Sequence, residues 1–148
     1  QQLNLPTYKF RIKSSENKHF IFDIIRKKYM VLTPEEWVRQ HFIHYLIEEK
    51  KYPISLIAVE KKLTINKLTK RTDILVFNNK GLPNIIVECK APSVKITQET
   101  FDQIARYNLK LEANYLITTN GLEHFYCKMD TKNEQYIFLK NLPAYSDN

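Results

Sequence analysis

Asp73, Glu88 and Lys90 are the residues of this 148-residue chain whose types and spacing best suit catalysis. Asp73 and Glu88 lie symmetrically about the midpoint between Lys80 and Gly81, and so do Arg71 and Lys90. An antiparallel hairpin turning there sets Asp73 opposite Glu88 and Arg71 opposite Lys90, about 5 Å apart on one face. Glu88 and Lys90, two apart, share that face, while Cys89 points the other way into packing. The preceding run Ile85-Ile86-Val87 reads as a strand buried on both faces. Ionised groups on such a strand are costly unless they are paired or bind a metal. Two carboxylates suit a hard cation, Mg²⁺ or Mn²⁺, which keeps other positions for water and phosphate. Such an ion lowers the pKa of a bound water and offsets charge on a phosphate. Lys90 is then placed to orient or deprotonate that water, or to stabilise a pentavalent phosphate.

A Glu-x-Lys on a strand is more often a surface cross-strand pair. Three features favour the functional reading here: the apolar strand, the matching Asp73, and Ala91-Pro92, which ends pairing and opens the strand end.

The elements that must position these residues are readable. Thr33-Pro34-Glu35-Glu36 starts a helix, with a capping hydroxyl, Pro at the first helical position and acids in the first turn. It should run to about Lys50, with Trp37, Val38, His41, Phe42, Tyr45 and Leu46 on its apolar face. His41 and His44 lack a third ligand and read as packing and surface residues. Strands are expected over 54–65, 71–77 and 84–90, with a turn at Asn78–Pro83. Thr97 caps a second helix running to about Ala113, followed by a strand over 114–119. Asn120-Gly121 signals a hairpin leading to Leu122–Cys127, and a last strand spans 135–140. Residues 8–32 read as strands and turns, with the alternating YKFRIK as a half-exposed strand and a turn at Ser14–Asn17. From residue 34 the order is α-β-β-β-α-β plus two strands: an α/β fold with one mixed central sheet flanked by helices.

Composition excludes several classes. Only two glycines, Gly81 and Gly121, are present, against about ten in an average chain of this length. Dinucleotide fingerprints, phosphate loops and the Gly-x-Ser-x-Gly elbow therefore cannot be built. Cys89 and Cys127 form no zinc spacing. No run is long and apolar enough for a membrane span, and the N-terminus lacks a signal peptide's apolar core, so a cytoplasmic protein is expected. Residues 1–75 hold 15 Lys/Arg against 8 Asp/Glu, whereas residues 76–148 hold 8 against 8. The whole +7 sits in the first half, and a basic surface attracts phosphate backbones.

Arg71-Thr72-Asp73 followed by Val87-Glu88-Cys89-Lys90-Ala91-Pro92 resembles the PD-(D/E)xK nuclease signature, with Arg71-Thr72 where the motif's proline would stand. More narrowly, the chain resembles the N-terminal nuclease domain of type I restriction enzyme R subunits. Residues 34–40, 103–108 and 118–121 support this, and the likeness covers about residues 34–121. The resemblance implies a restriction-endonuclease-like core over about 34–121, an N-terminal β extension over 1–32 and C-terminal strands over 122–148, in a single domain. It implies a metal-dependent DNA endonuclease of a restriction system. Asp73 and Glu88 would bind Mg²⁺ or Mn²⁺ together with the Cys89 carbonyl, and Lys90 would be the catalytic lysine. Glu36, or alternatively Glu35, would complete the metal shell. Gln103 and Tyr107, four apart on one helical face, would hold DNA or the active-site lysine, and Arg39 would contact DNA; Arg71 would either contact phosphate or pair with Asp73 or Glu88. Tyr8 and Tyr107 are candidates for stacking on bases. Implied partners are DNA, motor, specificity or methylation subunits, and a second copy; none is a membrane. R subunits carry a motor and this chain has no phosphate loop, so ATP dependence does not transfer. Alternatives are a non-catalytic nucleic-acid-binding module on the same fold, or a Mg²⁺-dependent RNase.

Overall fold

The sheet that carries Asp73 and Glu88 is covered by one helix on each face. A computed structural model describes residues 1–65 and 67–146; residues 147–148 of the expected C-terminal segment lie outside the described residues. Three short strands, β1 (Ile12–Ser15), β2 (Lys18–Asp23) and β3 (Lys28–Val31), form a small antiparallel sheet in that order. Helix α1 (Pro34–Glu48) follows, then a 3₁₀ turn at Ile54–Leu56. The main sheet contains β4 (Ile57–Ile65), β5 (Leu68–Phe77), β6 (Pro83–Cys89), β7 (Tyr115–Thr119), β8 (His124–Asp130) and β9 (Gln135–Leu139), in chain order. Helix α2 (Gln98–Leu109) makes the crossover from β6 to β7. That pair is parallel and the others antiparallel, so the sheet is mixed.

Both helices start where their caps require. The Thr33 and Thr97 hydroxyls accept from the backbone N–H of Glu36 and Thr100 at 3.0 and 3.1 Å, satisfying first-turn donors. α2 stops at Leu109, short of the expected Ala113, because Glu112 takes a left-handed φ of 60°.

Alternation sorts the sheet's side chains between two cores. Ile74, Val76, Ile85, Val87, Cys89 and Ile117 pack with Val38, Phe42 and Leu46 of α1. Leu75, Ile86, Leu116 and Cys127 pack with Phe101 and Ala105 of α2. Ile85, Ile86 and Val87 are all fully buried, as a strand covered on both faces must be.

The alternation breaks once. Ile57 and Val59 of β4 belong to the α1 side but Leu63 and Ile65 to the α2 side, although all four numbers are odd. In β5, Leu68 faces α2 and Ile74 faces α1. The pairing skips from Val59↔Ile74 to Lys61↔Thr72, and Glu60 has a φ of 52°. The two strands therefore turn over together at Glu60 and Asp73.

The N-terminal residues pack differently from expectation. The strand expected from Tyr8 starts only at Ile12. Phe10 lies against Trp37, His41 and His44 of α1, and Tyr8 bonds Glu49. His41 and His44 are thus packing residues. Leu3 is buried in the α1-side core. Gly121 (φ 86°) lies so close to it that an added Cβ would stand 2.8 Å from Leu3 Cδ2, and the Gly121 carbonyl accepts from Asn4 N–H at 2.8 Å. The Asn120-Gly121 signal makes a four-residue turn between Thr119 and His124. Among the described residues no helix is long and apolar enough to cross a membrane.

Among the described residues, eight other than glycine take positive φ. Such a conformation costs an L-residue about 1–2 kcal/mol, part of which glycine's own flexibility takes back. Glu112 is exposed. Glu112→Gly is therefore expected to stabilise the chain by up to about 1 kcal/mol, raising Tm by roughly 2–4 °C in a thermal melt. An unchanged or lower Tm would contradict this.

Candidate active site

The expected hairpin register holds where β5 and β6 pair: Ile74↔Val87, Leu75↔Ile86 and Val76↔Ile85. The ladder ends there, one pair short of Asp73 and Glu88. Asp73 sits at the turnover, and its side chain takes over from the ladder. One carboxylate oxygen accepts from the Cys89 N–H at 2.8 Å, and the other from Arg39 Nη2 of α1 at 3.1 Å. Glu88 lies on the α2 side with Ile86, and its carboxylate is paired with the Lys70 ammonium. Asp73 and Glu88 therefore do not stand as a simple cross-strand pair, yet their charges interact.

Arg71 does not face Lys90 as expected. It pairs in register with Lys62 on β4, is exposed, and reaches Glu60 at 3.7 Å. The strand turnover separates the two. Lys90 is the first residue beyond β6, half-buried, and its N–H donates to the Thr119 carbonyl at 2.8 Å. The Lys90 charge also acts on Glu88.

Glu36 is buried within a ring of donors. Arg26 Nη2 reaches both its oxygens, at 2.9 and 3.0 Å. Arg39 Nη1 bonds Oε1 at 2.6 Å, and Gln40 Nε2 bonds Oε2 at 3.0 Å. Arg26 is itself held by Asp23, at 2.6 Å. A continuous chain of charges runs Asp23–Arg26–Glu36–Arg39–Asp73. Glu36 thus meets the site through Arg39, while Glu35 is half-exposed and 3.5 Å from the same arginine. Arg39 itself is almost fully buried, so it is a structural partner of Asp73 rather than a surface cation.

On the other face, Gln103 and Tyr107 line an open cleft of about 860 Å³ together with Leu68, Arg106 and Lys110. The lysine that meets Tyr107 is Lys70, whose Nζ lies 5.1 Å from the ring centroid. Lys70 thus links Glu88 to α2. Its role was not visible in the sequence, because uninterrupted alternation would have turned it away from Glu88. A second unforeseen residue is Thr118, the register partner of Glu88 on β7. Its hydroxyl is buried and finds no hydrogen-bond partner among the described residues.

The electrostatics suit an added cation. Burial raises the Glu88 pKa above its ordinary 4.5, Lys70 opposes the shift, and Asp73 adds to it. Burial also pushes the Cys89 thiol well above its usual range, which removes it as a nucleophile. Among the described residues no three His, Cys, Asp or Glu side chains are grouped to hold a metal. The available donors are the oxygens of Asp73 and Glu88. One or two carboxylates are the usual protein share for Mg²⁺, which completes its shell with water and phosphate. Carboxylate oxygens are the chemical type of donor that such an ion takes.

A family model described as type I restriction enzyme R protein N terminus matches residues 34–143. A solved fragment of a chain assigned as an HsdR subunit of a type I restriction enzyme from Vibrio vulnificus YJ016 has a similar fold, with a TM-score of 0.51 and 19% identity. The alignment covers 76% of this chain but only 24% of that one. No curated protein matches the chain.

Two outcomes follow from these contacts. Arg39→Ala leaves the buried Glu36 and Asp73 short of a partner and should destabilise the chain by about 3–5 kcal/mol, measured by urea unfolding. A loss under 1 kcal/mol would contradict the network's role. Folding raises the Glu88 pKa, so its proton-linked stability is complete below about pH 4.5 and is lost as pH rises through the folded value. Glu88→Gln has no such proton to lose. Its Tm relative to the unsubstituted chain should therefore climb between about pH 4 and pH 7; a flat or falling difference would show that Lys70 pairing dominates.

Proposed function

The chain belongs to the family of type I restriction enzyme R protein N-termini, and from that premise we propose that it is the metal-dependent DNA endonuclease element of such a restriction system. The element order α1-β4-β5-β6-α2-β7 would be its restriction-endonuclease-like core. The observation that carries the reading is that Asp73 accepts from the Cys89 N–H, between Glu88 and Lys90 at the end of β6, beside a buried Glu88 carboxylate paired with Lys70. Sites organised for stability alone seldom retain such a group.

Asp73 and Glu88 would hold Mg²⁺ or Mn²⁺, and when bound this ion would supply charge neutralisation at the phosphate and a more acidic water. The residues do the rest. Arg39 and the Cys89 N–H fix the Asp73 carboxylate. Lys70 balances the Glu88 carboxylate. Lys90, at the strand end beside Ala91-Pro92, would hold the attacking water or a phosphate oxygen through its ammonium protons. Gln103 and Tyr107, on the same side of the sheet as Glu88, would guide the strand through the cleft along α2. Motor, specificity and methylation subunits are the partners that this assignment suggests.

The test is cleavage of circular and linear DNA with Mg²⁺ or Mn²⁺, run beside Asp73→Ala and Lys90→Ala. Cleavage by the unsubstituted chain alone is expected. Equal cleavage by all three would reject the site. A second readout needs no turnover: either cation should raise the Tm of the unsubstituted chain, by stabilising the native state in proportion to its occupancy, and should not do so in Asp73→Ala. No shift in either would reject the metal assignment.

A further inference from the structure

The small sheet β1–β3 precedes the stretch that the family model matches. Residues 1–33 nevertheless hold 7 Lys/Arg against 2 Asp/Glu, which is most of the chain's +7. Its register separates two faces. Ile21 and Asp23 are fully buried, and Asp23 is tied through Arg26 to α1, so their face looks inward. The other face carries Lys13↔Phe20↔Val31, Phe22↔Tyr29 and Ser15↔Lys18. Arg11 joins it opposite Phe22, whose N–H donates to the Arg11 carbonyl at 2.9 Å.

This outward face is unusual for a solvated one. Phe20, Phe22 and Tyr29 are half-buried and pack into neither core. Arg11, Lys13 and Lys18 are exposed around them. The Arg11 guanidinium lies 4.4 Å from the Phe22 centroid, and Lys13 Nζ 4.1 Å from that of Tyr29. The two rings meet edge to face at 5.3 Å. A cation held over a ring is pinned in place, and a guanidinium plane so held is itself a stacking surface for a base.

We propose that this face is a platform for single-stranded DNA, separate from the site on the main sheet. Aromatic and guanidinium planes take the bases, and Lys13 and Lys18 follow the phosphates, the combination that binds unpaired strands without sequence preference. A duplex has no free base faces to offer these rings, which favours the single strand. The choice of DNA over RNA rests on the function proposed above; the platform itself does not. The Asp23–Arg26–Glu36–Arg39–Asp73 chain anchors the small sheet to α1, so a strand held there is held in a fixed relation to Asp73.

Binding of fluorescein-labelled oligo(dT) tests this by anisotropy across a salt series, with the whole chain and no divalent cation. Arg11→Gln/Lys13→Gln/Lys18→Gln, all at exposed positions, should lower the slope of log affinity against log salt by about 2. Phe22→Ala should weaken binding by roughly tenfold or more, and Tyr29→Phe should retain it. Circular dichroism confirms that each variant is folded, and the triple variant decides the matter if Phe22→Ala is not. Unchanged affinity and slope in the triple variant overturn the proposal, as does failure of the unsubstituted chain to bind oligo(dT). Tighter binding of duplex than of oligo(dT), or of oligo(rU) than of oligo(dT), overturns the assignment to single-stranded DNA. A chain that binds but never cleaves refutes only the nuclease reading, and a cleaving chain whose triple variant binds normally refutes only the platform.

Discussion

The bond between the buried Arg39 and the half-buried Asp73 is the constraint on which the rest of the structure depends. Asp73 lies where two strands turn over, a place with no ladder bonds of its own. Arg39 is almost fully buried on a helix and must be neutralised where it stands. Each solves the other's problem. Glu36 then takes the other terminal nitrogen of the guanidinium, and Arg26 takes Glu36. The sequence of charges alternates in sign from the small sheet to the main one, and every member except the terminal pair touches two opposites. Burial works against the Arg39 charge, but Glu36 and Asp73 more than offset it, so its pKa rises.

This arrangement explains why a carboxylate can be kept at the edge of an apolar sheet without collapsing into it. Asp73 is fixed from two directions, by a backbone N–H and by a cation. Glu88 is held from only one, by a lysine on a half-exposed stem. The two carboxylates are thus inequivalent: one is rigid and strongly neutralised, the other buried, less well matched and readier to change partner. Lys70 is a flexible point charge, whereas Asp73 is held by the planar fork of an arginine.

Much of the fold was legible because local rules were followed. The hairpin symmetry about Lys80 and Gly81 gave the true β5–β6 register, and both threonine caps begin helices where their hydroxyls promised. The double-sided burial of Ile85–Val87 was also readable from its uninterrupted apolar run. What escaped was long-range or stereochemically silent. A left-handed glutamate at position 60 has no compositional signature, so the turnover there was invisible. With it went the placement of Lys70 and the separation of Arg71 from Lys90. The partners of Glu36 were hidden for another reason: Arg26 reaches it from the small sheet, which periodicity within α1 cannot report. Tyr8 and Phe10 alternate with basic residues as a strand would, but the α1 surface offers Phe10 an aromatic cluster instead of a neighbouring strand.

The seating of Leu3 against Gly121 bears on where this domain can be cut. By sequence matching, a boundary falls at residue 34. By packing there is none, because Leu3 is a core residue and the Gln1 carbonyl accepts from the Trp37 indole at 2.7 Å. Gly121 leaves a notch that only a side chain arriving from the far end of the chain fills. A truncation at the matched boundary would therefore open a hole against Val38 rather than trim an appendage. The first residues behave as a plug, so a modular exchange of the N-terminal extension between relatives would have to carry a shape complementary to that notch.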